Sequence, residues 1–266
     1  MRSIAIMNQK GGVGKTTTAV NLSATLANMG EKVCLIDLDP QAHATLHFGI
    51  EPQVEFDSIY DVLVEDKDLA GVRKQVAENL WLVPSHLDLA SAEMELAGVV
   101  GREMILRDKM AADGAKFDYV FIDCPPSLGP LSINALTAVD EVFVALQPHF
   151  LALHGLIKLS ETMELVVKRL NNRLKLGGVV LCLFEPTRLA SEVIQEVERY
   201  LKDYSPNTRI FQTKIRKNVR LAEAPSHGQP IFQYDPNSNG AEDYRLLAKE
   251  IYQMADGRTQ NVECRM

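Results

Sequence analysis

Six short apolar runs, separated by stretches long enough to form helices, constrain the fold of this chain more than any other feature of its sequence. The runs predict strands at 3–7, 32–37, 80–83, 119–122, 141–146 and 179–184, and the stretches between them predict helices near 16–29, 88–112, 129–138, 151–174 and 189–203. Continuous apolar strands joined by helical crossovers are typical of a parallel sheet covered on both faces. The sequence therefore predicts an α/β fold with a mostly parallel sheet and helices on both faces.

The chain is expected to form one domain. Its 266 residues, 46% of them hydrophobic, can bury a sizeable core, and no internal repeat or Pro/Gly/Ser-rich linker divides it. The predicted domain spans residues 1–256, and residues 257–266 are expected to fray because they lack apolar periodicity. No run of about 18 apolar residues predicts a membrane span.

The cysteine pattern and the N-terminus predict a cytoplasmic protein. Cys34, Cys124, Cys182 and Cys264 are widely spaced and form no C-x-x-C pair, which argues against a zinc site or a disulfide framework. The first residues, MRSIAIMNQ, lead directly into a strand and do not resemble a signal peptide.

A glycine-rich segment, NQKGGVGKTT at residues 8–17, lies between the first predicted strand and the first predicted helix. Gly14, Lys15 and Thr16 match the end of the phosphate-binding pattern G-x-x-x-x-G-K-[ST], but Gln9 stands in place of its first glycine and an extra lysine, Lys10, follows. Such a loop directs backbone N–H groups and the positive end of a helix toward phosphate. Lys15 is expected to reach the β- and γ-phosphates of ATP, and the Thr16 hydroxyl to ligate Mg²⁺. The predicted nucleotide-binding residues are Gly11, Gly12, Val13, Gly14, Lys15, Thr16 and Thr17.

Three aspartates complete the predicted site. Asp123 ends an apolar strand, which is how an aspartate is presented to Mg²⁺ in phosphate-loop enzymes. Asp39 precedes Pro40 and therefore lies in a turn beyond the second strand, where a catalytic role competes with that of an ordinary turn residue. For Asp37, at the end of the same strand, a structural role and a magnesium-binding role both stay open.

The segments KGGVGKTT, DLDPQ and NVRLAEAPSHGQPI together resemble the ParA/Soj branch of the deviant Walker A ATPases, a superfamily that also contains MinD and the nitrogenase iron protein. The resemblance runs from about residue 3 to about residue 255. It implies that Lys10 is the signature lysine, which reaches across an ATP-dependent homodimer to phosphates bound by the other subunit. It also implies that Asp39 orients the attacking water and that hydrolysis is slow without a partner.

The chain departs from the family pattern at five positions. Ala42 and His43 replace glycine and asparagine, and Ala42 is expected to keep the backbone at negative φ. His149 and His154 stand where glutamates are common, on a segment expected to face a dimer or partner surface. Arg216 replaces a proline near the expected adenine site, so the residues that contact adenine are not assigned.

Basic residues cluster near the C-terminal end of the chain. The stretch 209–220 contains no acidic residue, and its Arg216, Lys217 and Arg220 are predicted to contact duplex DNA without sequence specificity, with Arg220 as the first choice. A second basic cluster at 168–175 is interpreted as a solvated face in preference to a DNA-binding surface. The resemblance further implies a ParB-like stimulating protein, association with the nucleoid, and a role in segregating chromosome or plasmid DNA.

Three other functions compete with this interpretation. A ParA-like ATPase that positions a different cargo through another adaptor would carry the same motifs. A MinD-like membrane role would need a basic amphipathic C-terminal helix, which the last residues do not predict. A reductase like the nitrogenase iron protein would need cluster cysteines, for which Cys124 is wrongly placed.

Overall fold

The computed structural model describes residues 1–52 and 56–255, so the predicted tail at 257–266 lies outside the described residues. The strands are β1 Arg2–Met7, β2 Val33–Asp37, β3 Lys74–Ala77, β4 Leu80–Val83, β5 Tyr119–Asp123, β6 Glu141–Leu146, β7 Lys175–Phe184 and β8 Ile210–Arg216. The helices are α1 Lys15–Asn28, α2 His43–His47, α3 Ile59–Val64, α4 Leu69–Val72, α5 Leu89–Glu95, α6 Ile105–Ala112, α7 Pro130–Ala138, α8 Ala152–Arg169, α9 Arg188–Tyr204, α10 Val219–Glu223, α11 Ile231–Tyr234 and α12 Asn239–Ala255. Short 3₁₀ turns occupy Leu96–Gly98, Arg102–Met104 and Ala224–His227.

Within the described residues the strands form one sheet of eight, in the order β3-β4-β2-β5-β1-β6-β7-β8. Every neighbouring pair is parallel except β3 and β4, which are antiparallel at one edge. The predicted α/β fold with a mostly parallel sheet is confirmed. None of the helices among residues 1–52 and 56–255 is long and apolar enough to cross a membrane.

The two faces of the sheet are buried in two separate hydrophobic clusters. Along β1, Ala5 and Met7 belong to one cluster, while Ile4 and Ile6 belong to the other. This alternation follows from the period of two along a strand, and it explains why the central strands are apolar at every position. The second cluster also contains α1 and α12, which cover the face behind the phosphate loop.

Two predicted helices have different bounds in the structure. The helix expected at 88–112 is broken into α5, two 3₁₀ turns and α6, with Gly101 in the left-handed region at φ 77°. The helix expected at 151–174 ends at Arg169, because the Asn171 side chain donates hydrogen bonds to the carbonyls of Leu136 and Val139 and so fixes the following turn to α7.

The sequence did not predict the strands and helices that lack a continuous apolar run. β7 begins at Lys175, four residues earlier than expected. The sequence did not indicate this first part of the strand, because it contains Gly177 and Gly178. Only glycine fits at position 178, because a Cβ there would lie 2.5 Å from the Phe211 ring. β8 alternates buried and exposed residues, β3 is a short edge strand, and α12 was not recognised as a helix.

Candidate functional site

The phosphate loop leaves the central strand β1 and enters α1 at the carboxyl edge of the sheet, where α/β proteins bind ligands. Gly12 and Gly14 adopt left-handed backbone conformations, at φ 72° and 96°, which other residues rarely adopt. No side chain caps the N-terminus of α1, so its first N–H groups are available to an anion. The loop lines a cavity of about 1030 Å³ that reaches to residues 215–228.

The two loop lysines point to different places. Lys15 is buried and lines the cavity, with its Nζ 3.4 Å from the carbonyl oxygen of Lys10. Lys10 is exposed and does not line the cavity. Its Nζ lies 3.5 Å from the Oε1 atom of Gln147, in a separate cleft on the molecular surface. Lys15 is therefore placed to meet nucleotide bound by its own chain, whereas Lys10 faces outward.

Asp123 carries the strongest sign of a cation site. Both of its carboxyl oxygens are buried and have no hydrogen-bond partner among the described residues. Burial and the nearby charge of Asp37 raise its pKa well above the usual range, while the Thr16 hydroxyl and the Lys15 ammonium oppose that shift. A divalent cation near these oxygens would restore the interactions that burial removes.

The surrounding donors fit Mg²⁺ rather than a metal held only by protein. No group of three His, Cys, Asp or Glu side chains within residues 1–52 and 56–255 is arranged to hold a metal ion. Mg²⁺ commonly keeps several waters and binds through one or two protein oxygens together with substrate phosphates. Asp123 and Thr16, beside a phosphate loop, offer such a partial set.

Asp37 lies directly across from Asp123 in the register of β2 and β5. Its Oδ2 accepts hydrogen bonds from the backbone N–H and the hydroxyl of Thr45, and its Oδ1 accepts one from the Asp39 N–H. Burial raises the pKa of Asp37 to about 7, although the bonds from Thr45 oppose the shift. Of the two roles left open for Asp37, these contacts favour the structural one, because they fix the loop that carries Asp39.

Asp39 lies in the turn after β2 and is buried on the wall of the nucleotide cavity. Its Oδ1 accepts a hydrogen bond of 2.9 Å from the Gln41 N–H, and its carbonyl accepts one of 2.8 Å from the Ser85 hydroxyl. The carboxylate is thus held at one position beside the phosphate loop, as a group that orients a water molecule must be.

The backbone conformation of Ala42 contradicts one expectation from the sequence. It was expected to keep the backbone at negative φ, but its φ is +52° and its ψ is +33°, within the left-handed region. The Ala42 N–H donates to the Asp39 carbonyl and the Ala42 carbonyl accepts from Leu46, so hydrogen bonds of the turn and of α2 hold it there. The glycine-like conformation is therefore kept without the glycine, at a cost of about 1–2 kcal/mol.

We expect Ala42→Gly to stabilise the protein. Glycine adopts this conformation without steric cost, so the free energy of unfolding should rise by up to about 1 kcal/mol in chemical denaturation. The matched control is Ala44→Gly, an equally buried alanine inside α2. That change should lower stability by about 1 kcal/mol, because glycine disfavours a helix. Equal losses in both variants would contradict the strain at Ala42.

His47 is a cavity residue that sequence reasoning missed. It is almost fully buried, it lines the nucleotide cavity, and its Nε2 has no partner among the described residues. Burial lowers the pKa of His47 to about 4, and a hydrogen bond with the Gln229 backbone opposes the shift. The only signal in the sequence was its place between the apolar residues Leu46 and Phe48.

The buried His47 predicts a pH-dependent stability. Its neutral form is favoured in the folded state, so its contribution is complete above about pH 6.5 and is lost as the pH falls toward about 4. Relative to His47→Gln, the wild type should lose up to about 3 kcal/mol across this range. Denaturant titrations at several pH values measure this difference. His43→Gln, on the exposed side of the same helix, is the control, and equal profiles for both variants would contradict the prediction.

The predicted DNA-binding residues lie at and beyond the end of β8. Arg216 lines the nucleotide cavity, and its guanidinium pairs with Asp243 at 2.6 Å and with Glu242 at 2.7 Å. These pairs raise the pKa of Arg216 above its usual value. Arg216 therefore contacts both α12 and the cavity.

Lys217 and Arg220 are more exposed. The Lys217 Nζ lies 3.4 Å from Glu185, and the Arg220 guanidinium pairs with Glu223 at 2.9 Å and with Asp235 at 3.4 Å. The stretch 209–220, which contains no acidic residue, thus has acidic neighbours from outside it, and one of them, Glu223, follows on the same helix α10 as Arg220. Because these pairs are solvent-exposed, they are weak enough for phosphate groups to replace.

A phosphate loop at the carboxyl edge of a parallel sheet, with an uncompensated buried aspartate beside it, defines a P-loop nucleotide-binding protein. A family model described as an AAA domain matches residues 1–176. The chain is 49% identical over 250 residues to the sporulation initiation inhibitor protein Soj of Bacillus subtilis. The aligned region covers 93% of this chain and 97% of Soj. It is 42% identical over 252 residues to the chromosome partitioning protein ParA of Myxococcus xanthus, covering 94% and 87% of the two chains.

Comparison with solved structures also indicates a P-loop nucleotide-binding protein. Cobyrinic acid a,c-diamide synthase from Mycobacterium smegmatis with bound ADP and magnesium matches with a TM-score of 0.82 and 32% identity over 100% of both chains. A putative plasmid partition protein from Borrelia burgdorferi, bound to AMPPNP, matches with a TM-score of 0.78 and 25% identity over 95% and 99% of the chains. The chain belongs to the ParA/Soj family of chromosome-partitioning ATPases. Its cofactors are ATP and Mg²⁺.

Proposed function

We propose that this chain is an ATP-dependent dimerising switch that binds duplex DNA without sequence specificity and segregates chromosome or plasmid DNA with a ParB-like partner. In this proposal residues 1–256 act as one ATPase domain, which associates with the nucleoid in its ATP form. The observation that carries the proposal is the outward position of Lys10, which contacts Gln147 in a surface cleft and not its own nucleotide cavity. A loop lysine in that position suits phosphates presented by a second copy.

Each site residue has a defined task in this cycle. The backbone N–H groups of residues 11–17 and the Lys15 ammonium bind the phosphates, while Thr16 and Asp123 hold the magnesium ion. Bound Mg²⁺ offsets the negative charge of the phosphates. Asp39 orients the attacking water, and Lys10 of the second copy stabilises the charge that develops during phosphoryl transfer. Hydrolysis is slow until the partner protein contacts the dimer.

The DNA-binding surface lies where β7 and β8 end side by side, since Phe184 and Arg216 are register partners. Lys217 and Arg220 follow β8 along the chain. Arg188, 93% exposed in its side chain and paired with Glu192, begins α9 just after β7, and the proposal includes it in this surface. The sequence alone gave no reason to include Arg188, because its neighbours in the sequence are not basic. A dimer doubles this surface, and each neutralised phosphate adds about −0.9 to the salt slope, so dimerisation gates DNA binding.

A DNA mobility shift with ATP, with ADP and without nucleotide, at low and physiological salt, tests the proposal. Wild-type protein should bind only with ATP, and binding should weaken as salt rises. Arg220→Glu should lose binding while keeping ATP-driven dimerisation. Arg107→Glu is the matched control, because Arg107 also pairs with a neighbouring acid but lies on α6, away from β8. Equal binding in all three nucleotide conditions, or equal losses in both variants, would refute the proposal.

A further inference from the structure

A closed ring of hydrogen bonds holds the backbone of Asp39 from both sides. On one side, the Asp39 N–H donates to the Asp37 Oδ1 at 3.2 Å. On the other side, the Ser85 hydroxyl donates to the Asp39 carbonyl at 2.8 Å. Thr45 closes the ring, because its Oγ1 accepts from the Ser85 N–H at 2.8 Å and donates to the Asp37 Oδ2 at 2.7 Å. We call Asp37, Asp39, Thr45 and Ser85 the hydrogen-bond ring.

The ring joins the segments that follow two neighbouring strands of the sheet. β2 and β4 are parallel, and Ile36 and Val83 are register partners near their ends. The segments after both strands therefore leave the same edge of the sheet. Asp39 and Ser85 are 46 residues apart in the sequence, and the ring fixes the turn that carries Asp39 to the adjacent strand.

Burial makes the ring sensitive to the loss of any one member. Asp37, Thr45 and Ser85 are fully buried, and Asp39 is nearly so. Each hydroxyl of the ring has one proton, and both protons are used within the ring. Because water does not reach these atoms, no solvent molecule replaces a hydroxyl that is removed.

Of the four ring residues, Asp39 alone lines the nucleotide cavity. The Thr45 and Ser85 side chains lie behind it, so their route to the reaction runs through the position of Asp39. The Gln41 N–H, which donates to the Asp39 Oδ1, restrains the carboxylate, while the ring restrains the backbone that carries it. Such restraint matters for catalysis, because a misplacement of about 1 Å can cost about 10²-fold in rate.

We propose that Thr45 and Ser85 are positioning residues for ATP hydrolysis, whose hydroxyls hold the Asp39 carboxylate where it orients the attacking water. This inference rests on the proposed function, which gives Asp39 that task. It assigns to the segment after β4 a part in hydrolysis, although that segment contributes no side chain to the phosphate loop or to the predicted magnesium site.

Hydrolysis and ATP binding of three ring variants test the inference. Ser85→Ala and Thr45→Val each remove one hydroxyl and nearly keep the volume of the side chain. Both should slow single-turnover hydrolysis by about 10²-fold and leave the Kd for ATP unchanged. Thr45→Ser keeps the hydroxyl and should hydrolyse ATP at least about tenfold faster than Thr45→Val. Ser160→Ala is the matched control and should behave like wild type, since this buried serine donates to the Leu156 carbonyl on α8.

Hydrogen exchange of the nucleotide-free protein gives a second readout that does not depend on turnover. The Gln41 N–H donates to the Asp39 side chain, and the Ala42 N–H donates to the Asp39 carbonyl. Both amides should exchange about tenfold faster in Ser85→Ala and Thr45→Val, as expected when one hydrogen bond that restrains a turn is lost. Their exchange should be unchanged in Ser160→Ala.

Three results would overturn the inference. The first is wild-type hydrolysis or wild-type exchange in Thr45→Val or in a folded Ser85→Ala. The second is an equal loss of rate in Thr45→Ser and Thr45→Val, which would assign the effect to packing of the methyl group. The third is a Kd for ATP that weakens as much as the rate falls. If Asp39→Ala hydrolysed ATP normally, the proposed task of Asp39 would instead be refuted, and exchange would still report on the ring.

Discussion

Replacing Asp39 by alanine is expected to trap the protein with ATP bound. The carboxylate lies buried on the cavity wall, so its loss should slow hydrolysis by about 10²–10⁴-fold, the range for a positioned acid–base group. The phosphate loop is untouched, so nucleotide binding and ATP-driven dimerisation should persist. Phosphate release measured alongside size-exclusion chromatography would show a stable dimer that hardly turns over.

Two further variants separate the role of the charge from that of the fold. Asp39→Asn keeps an oxygen that can accept the hydrogen bond from the Gln41 N–H, so it preserves the turn while removing the charge. It should hydrolyse ATP as slowly as the alanine variant. Glu51→Ala removes another acid that lines the same cavity and should behave like wild type. Normal turnover by Asp39→Asn would show that Asp39 is only a turn residue.

Replacing Lys10 by alanine is expected to uncouple ATP binding from dimerisation. Because the Lys10 ammonium faces outward while Lys15 lines the cavity, the variant should bind ATP normally. Its dimer should weaken by about 10²-fold or more, as expected when one partner of a charge pair is removed from an interface. Hydrolysis should fall by about 10³-fold or more, as when an arginine finger is lost. Nucleotide titrations and sedimentation with ATP measure the two effects separately.

Mixing the two inactive variants distinguishes action across the dimer from action within one chain. In a mixed dimer, the Lys10→Ala subunit keeps Asp39 and receives Lys10 from the Asp39→Ala subunit. One complete site then forms, and the mixture should hydrolyse ATP faster than either variant alone. Lys158→Ala, on the same cleft as Lys10, is the control and should keep basal hydrolysis. A mixture as inactive as its components would mean that Lys10 serves its own nucleotide.

The sequence was most informative where one physical signal dominated. Central strands buried on both faces must be apolar throughout, so β1, β2, β5 and β6 were predicted nearly to the residue. The phosphate loop was equally clear, because its spacing reflects the geometry of backbone and phosphate. Strand ends then placed Asp37 and Asp123 on the same edge of the sheet, and the register of β2 and β5 confirms that they are neighbours.

Most of the features that the sequence did not predict depend on distant parts of the chain. β8 escaped because an edge strand buries only alternate residues, here Phe211 and Ile215. The ion pairs of Arg216 come from α12, which follows β8 by more than twenty residues. Neither of these facts is contained in a short window of sequence. Ala42 is a local exception, since hydrogen bonds of its own turn and of α2 hold an alanine where glycine is favoured.

The unpartnered carboxylate of Asp123 has a consequence for the lifetime of the protein in a cell. The two buried oxygens of Asp123 have no hydrogen-bond partner among the described residues, and magnesium bound with nucleotide at the proposed site would supply one. Anything that binds only the folded state stabilises it, by about 2.7 kcal/mol at a hundredfold excess over its Kd. Chaperones and proteases should therefore act on the nucleotide-free protein before they act on the nucleotide-bound form. When the energy supply of the cell falls, the pool of this protein should shrink before its synthesis changes.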